Sequence, residues 1–107
     1  MYIEFEKGQK YANTINDISE SHESFSDAGW ILEDSDYVVD IDTLPKDLIK
    51  KLIVTFEIDT QIVWTDRGCH LYFKRPEGFK RGANQTSPLG FAYEIKHKGN
   101  TKAVTIK

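Results

Sequence analysis

Cysteine is nearly absent from this chain: Cys69 stands alone in 107 residues, so no internal disulfide can close and no cysteine-based zinc site can be built. That usage points to a reducing compartment. No apolar run approaches the roughly 18 residues that a membrane helix needs. The N-terminus MYIEFEKGQK lacks the pattern of a signal peptide. No internal repeat and no low-complexity tract is present, which sets aside solenoids and disordered spacers. These absences predict a soluble, cytoplasmic protein with no membrane partner. At this length one domain spanning residues 1–107 is expected, with a single core and without room for a large multidomain enzyme.

Charge is plentiful but uneven. Residues 1–42 carry eleven carboxylates and two cations, whereas residues 43–107 carry six carboxylates and twelve cations, so the net charge of −3 conceals a basic half. Such a half suits a polyanion, because lysine and arginine displace counterions from phosphates. Taken alone, the asymmetry is better explained as ordinary solvated charge, since it has many causes.

Organisation is expected to begin near Ala28, after a polar stretch from Ser19 to Asp27 that suits a surface loop or short helix. Ala28 to Leu32 and Tyr37 to Asp42 read as a hairpin across Glu33-Asp34-Ser35-Asp36. Asp42 or Thr43 then caps a helix whose Leu44, Leu48, Ile49, Leu52, Ile53 and Phe56 recur at helical spacing. A second hairpin joins Gln61–Thr65 to Cys69–Lys74 through Asp66-Arg67-Gly68, with Gly68 free to take positive φ. Residues 75–88 read as a loop bearing cations. A third hairpin joins Phe91–His97 to Lys102–Ile106 through Lys98-Gly99-Asn100-Thr101. Six strands and one helix predict an α+β domain, a mostly antiparallel sheet with a helix packed on one face.

Strand alternation places Asp40 and Asp42 on one face, opposite Tyr37, Val39 and Ile41. The same rule groups His70 with Tyr72 and Lys74, and Glu94 with Lys96. If the apolar sides meet the helix, these polar groups share an open face. Paired carboxylates repel unless neutralised, and Mg²⁺ or Mn²⁺ prefers oxygen donors plus substrate phosphates, so Asp40, Asp42 and Glu94 are candidate metal ligands. His70, Lys74 and Lys96 are candidate phosphate ligands. Each has a plain structural explanation: a strand-end Asp capping a helix, a satisfied strand histidine, a solvated strand face. Cys69 beside His70 does not make a thiol nucleophile, because the two side chains point to opposite faces.

Taken in order, Tyr37-Val-Val-Asp-Ile-Asp42, Gly68-Cys-His-Leu-Tyr-Phe-Lys-Arg-Pro76 and Tyr93-Glu-Ile-Lys96 resemble the archaeo-eukaryotic primases, especially the bifunctional primase-polymerases of phages and plasmids. The resemblance covers about residues 28–107. It implies an RRM-like palm that transfers nucleotides from (deoxy)nucleoside triphosphates onto a growing strand on a single-stranded DNA template. It implies catalytic metal on Asp40, Asp42 and Glu94, and His70 on the phosphates of the incoming nucleotide. Glu94 stands where that family usually has Asp. Family members usually run on into a helicase or accessory domain, so the chain is expected to be the N-terminal part of a longer replication protein. Arg75, Lys80 and Arg81 are the candidate contacts to nucleic acid. Two other readings compete: a non-catalytic RRM-like nucleic-acid-binding module stacking bases on Trp64, Tyr72, Phe73 and Tyr93, and a metal-dependent nuclease. Carboxylates on a phosphate-binding face disfavour the simple binder, and triphosphate dependence separates the nuclease.

Overall fold

The computed structural model describes residues 1–12, 17–78 and 84–107. In chain order they form β1 (Tyr2–Glu4), β2 (Ile18–Ser19), β3 (Ala28–Ile31), β4 (Asp36–Ile41), α1 (Lys46–Thr55), β5 (Gln61–Trp64), β6 (Cys69–Lys74), β7 (Asn84–Thr86), β8 (Ala92–Lys96) and β9 (Ala103–Thr105). The architecture is α+β, as the periodicities predict, but the strands make two antiparallel sheets. One has the order β5-β6-β4-β8-β7 and the other β2-β1-β3-β9.

The five-stranded sheet is built around β4, whose apolar residues serve two cores. Ile41 joins Cys69, Leu71 and the helix residue Ile49 in one cluster, with Val39, Ile62 and Tyr93 packed against it. Val38, on the opposite face, joins Leu32 and Val104 in a second cluster with Trp30 and Tyr72 at its margin. A fully buried aliphatic side chain such as Ile49 or Val38, each 0% exposed, contributes about 1.5–3 kcal/mol. Both faces of β4 are therefore covered, one by α1 and the other by the four-stranded sheet. The open face expected for the polar residues does not exist.

Two of the three expected hairpins are replaced by crossings between the sheets. β3 pairs with β1 and β9, whereas β4 pairs with β6 and β8. The bend between β3 and β4 is held by Asp36, whose Oδ2 accepts from Trp30 Nε1 at 2.9 Å and from the Glu33 amide at 2.8 Å. Leu32, 2% exposed, sits in that corner, and its amide donates to the Lys102 carbonyl. At the second crossing Asn100 accepts from the His97 amide at 3.0 Å and donates to the Ile95 carbonyl at 2.9 Å, turning the chain out of the five-stranded sheet. Turn composition signals a reversal in both places, but the partner of each strand is chosen by which core its side chains fill.

The N-terminal region is also part of the fold. Ile3, Phe5 and Phe25 are buried, so order begins at β1 rather than at Ala28. β7 falls within the stretch expected to be a loop and pairs with β8. Lys80 and Arg81 lie outside the described residues.

α1 lacks the expected polar cap. Its N-cap is Pro45 with no side-chain hydrogen bond, while the Thr43 hydroxyl donates to the Ala92 carbonyl at 2.7 Å and ties the helix entry to β8. Of the apolar stripe only Ile49 is fully buried; Leu48 and Phe56 are exposed.

The β5–β6 hairpin forms as expected, closed by the Thr65 amide on the Gly68 carbonyl at 2.9 Å. Gly68, however, does not take positive φ. It is required for closeness: a Cβ there would lie 1.7 Å from the Ile41 carbonyl oxygen. Because the obstacle is backbone at the end of the central strand, Gly68→Ala should cost at least about 3 kcal/mol. A thermal or urea melt checks this, and a near-wild-type midpoint would contradict the packing described.

Candidate functional site

Asp40 lies at the middle of the five-stranded sheet with His70 directly opposite on β6 and Glu94 directly opposite on β8. Directly paired residues project from the same face, so the three side chains form one row across three adjacent strands. Asp42, beyond the end of β4, and Lys96, two residues along β8 from Glu94, lie beside it. All five line one cavity of about 250 Å³ between the two sheets, whose wall also includes Arg67, Lys10 and Val104.

The row is paired internally. Asp40 Oδ1 lies 3.5 Å from His70 Nε2, and Oδ2 lies 3.7 Å from Lys96 Nζ. Asp40 is 8% exposed and His70 6%. Burial alone would push the Asp40 carboxyl up, but hydrogen bonding and charge from His70, followed by Lys96, outweigh it and hold the group below its ordinary value. Asp40 is thus an anion kept charged inside the fold by two partners. His70 spends Nε2 on that carboxylate, while its Nδ1 is buried with no hydrogen-bond partner among the described residues. Asp42 is exposed and Glu94 half-buried.

Of the expected site residues, Asp40, Asp42, His70, Glu94 and Lys96 come together. Lys74 does not: it is paired with Asp36 at the far end of β4. Arg75 follows it, its amide on the Ser35 carbonyl at 2.8 Å, away from the cavity. Arg67 and Lys10 take the expected place of Lys74 as cavity cations. Arg67 was legible in principle, since it sits in the hairpin turn leading to His70; Lys10 is placed only by the packing of one sheet on the other.

Carboxylate oxygens are the donors that a hard divalent ion prefers, and three line this cavity. Among the described residues, however, no three His, Cys, Asp or Glu side chains converge closely enough to hold an ion as they stand. The donor chemistry fits a divalent ion, but the described residues form no preformed cage.

Cys69 lies on the helix side of β6, 0% exposed, and burial, then the charge of Asp40, pushes its thiol up to about 11. The candidate stacking residues are divided: Tyr72 faces the cleft between the sheets, whereas Trp64, Phe73 and Tyr93 lie on the helix side, so they form no common platform. No helix among the described residues is long and apolar enough to cross a membrane. Neither a family model, nor a characterised protein, nor a solved structure matches the chain.

Two outcomes follow. Asp40→Ala should destabilise the fold by about 1.5–3 kcal/mol, because His70 and Lys96 lose a shared charged partner, whereas Asp42→Asn should leave the melting temperature nearly unchanged. Equal effects in thermal melts would contradict the burial difference. The native thiol should react with iodoacetamide at pH 8 at least ~100-fold more slowly than in the urea-unfolded chain, since little thiolate exists and none is reachable.

Proposed function

We propose that this chain is the catalytic core, or its N-terminal part, of a DNA primase-polymerase: a nucleotidyltransferase that takes (deoxy)nucleoside triphosphates and works on a single-stranded DNA template. The observation that supports this reading best is the row Asp40, His70 and Glu94, gathered with Asp42, Lys96 and Arg67 in one cavity. Asp40, Asp42, His70, Glu94 and Lys96 come from the three sequence motifs, which lie far apart in the chain, and Arg67 immediately precedes the second of them.

Within that reading the residues divide the work. Lys96, Arg67 and Lys10 offset the charge of a triphosphate entering the cavity. His70 donates to a phosphate oxygen, oriented by its contact with Asp40. Asp40, Asp42 and Glu94 would hold Mg²⁺ or Mn²⁺, which when bound supplies charge neutralisation at the transferring phosphoryl group. Asp40 already has two partners, so Asp42, exposed at the cavity, is the carboxylate with the freest oxygens. Arg75, and Lys80 and Arg81 beyond the described residues, are the cations for template contact, with a helicase or accessory replication protein as the expected partner.

The simple binding module is the weaker reading, because its aromatic residues are split between two faces and its phosphate surface would carry three carboxylates. In the proposed enzyme, Mn²⁺-dependent binding of a nucleoside triphosphate should be detectable by calorimetry. Asp42→Asn should abolish the metal dependence without loss of fold. His70→Ala should weaken triphosphate affinity by about 1.5–3 kcal/mol, the range for a hydrogen bond to a charged group. Triphosphate binding indifferent to metal and to both substitutions would overturn the assignment.

A further inference from the structure

A second and larger cavity, of about 500 Å³, opens between the sheets at the other end of β4. Its volume lies in the range of small-molecule sites, and its wall combines aromatic faces with a few polar groups. Tyr2 and Trp30 meet edge to face at 5.0 Å, and Tyr2 meets His22 at 4.9 Å; Asp36, Gln61 and Tyr72 complete the wall that matters here. None of these residues belongs to the carboxylate and histidine row.

Three polar atoms around this cavity have unused capacity. Asp36 Oδ2 is occupied by the Trp30 indole and the Glu33 amide, whereas Oδ1 accepts no hydrogen bond from a described residue. The Tyr72 hydroxyl and His22 Nδ1 are shielded from solvent and have no hydrogen-bond partner among the described residues. Asp36 and Tyr72 are diagonal neighbours on one face, since Tyr72 pairs with Val38 and Lys74 with Asp36. Burial, with the charge of Asp36 and Tyr2 behind it, pushes the Tyr72 phenol up to about 12, so it remains a donor at neutral pH. The wall therefore presents an anionic acceptor between aromatic rings, with a neutral donor shielded beside it.

We propose that this cavity binds a guanine base. Guanine places two N–H donors, at N1 and N2, beside the O6 acceptor. The donors match Asp36 Oδ1, and O6 matches the Tyr72 hydroxyl once that group turns into the cavity. Uracil and thymine flank their one ring N–H with two carbonyls and would set an acceptor against the carboxylate. Tyr2 and Trp30 supply the ring contacts. The cavity adjoins the phosphate cavity: Val63 lines the first, and His70, its direct partner on β6, lines the second. The base has two sources with the same chemistry, an incoming nucleotide whose phosphates reach His70 or a base of a single strand.

Calorimetric titration of the full chain with guanosine, uridine, dGTP and a short dT strand carrying one dG tests this. Guanosine carries no phosphate, so its binding is independent of the proposed nucleotidyl-transfer site, and Asp42→Asn should leave it unchanged. Guanosine should bind at least about tenfold more tightly than uridine, and Asp36→Asn should reduce that affinity about tenfold. Because Asp36 also holds a turn, Tyr72→Phe is the second variant: it should weaken guanosine about threefold with no fall in melting temperature. A gain of dGTP over guanosine that His70→Ala removes supports the incoming nucleotide as source; a gain of the dG strand over dGTP supports the single strand. Uridine binding as tightly as guanosine, no binding of guanosine or the dG strand, or indifference to both substitutions overturns the proposal.

Discussion

The double pairing of β4 is the constraint on which this molecule depends. A strand hydrogen-bonded on both edges through its middle and covered on both faces leaves little solvent to its central side chains, so the buried ones, Val38, Asp40 and Ile41, must find partners within the fold. Val38, Val39 and Ile41 do so with two hydrophobic clusters. Asp40 does so with His70 and Lys96. A carboxylate at 8% exposure would be driven toward neutrality if left alone; flanked by His70 and Lys96 from the two neighbouring strands, it is held below its ordinary value. The charge at the centre of the sheet and the order β6-β4-β8 thus have one origin.

That arrangement joins stability to chemistry in a way that separates the two aspartates. Asp40 is part of the internal pairing and cannot be removed without leaving His70 and Lys96 unbalanced. Asp42, beyond the strand end, touches the same cavity but is exposed. A carboxylate held in place and a carboxylate free to find a ligand are complementary parts of the nucleotidyl-transfer site we propose. The two cavities extend this division along the cleft, with charged groups at the His70 end and aromatic groups at the Tyr72 end.

The second sheet changes what the polar face is. Without it, the row would lie open to water, where charges are screened and their pairings weak. With β9 and the N-terminal segment across it, the row becomes the wall of a cleft, and Lys10 is brought to it from a part of the chain that carries no motif. The same sheet supplies Tyr2, His22 and Trp30 to the neighbouring cavity.

Alternation along β4, β6 and β8 was legible without coordinates, because a two-residue period depends only on local backbone geometry, and it correctly grouped Asp40, His70, Glu94 and Lys96. The tight β5–β6 hairpin was legible for the same reason: its pairing is closed within a few residues. Local signals could not say that β3 leaves β4 for β1, or that β9 leaves β8 for β3, because a turn reverses direction without naming the sheet that receives the strand. Nor could they separate Lys74 from the site, since two residues of the same face lie at opposite ends of a strand whose length and register only pairing sets. Gly68 shows the difference in one residue. Its type marked a turn, but the reason it must be glycine is the carbonyl of Ile41, 27 residues earlier, and only the packed structure puts that oxygen there.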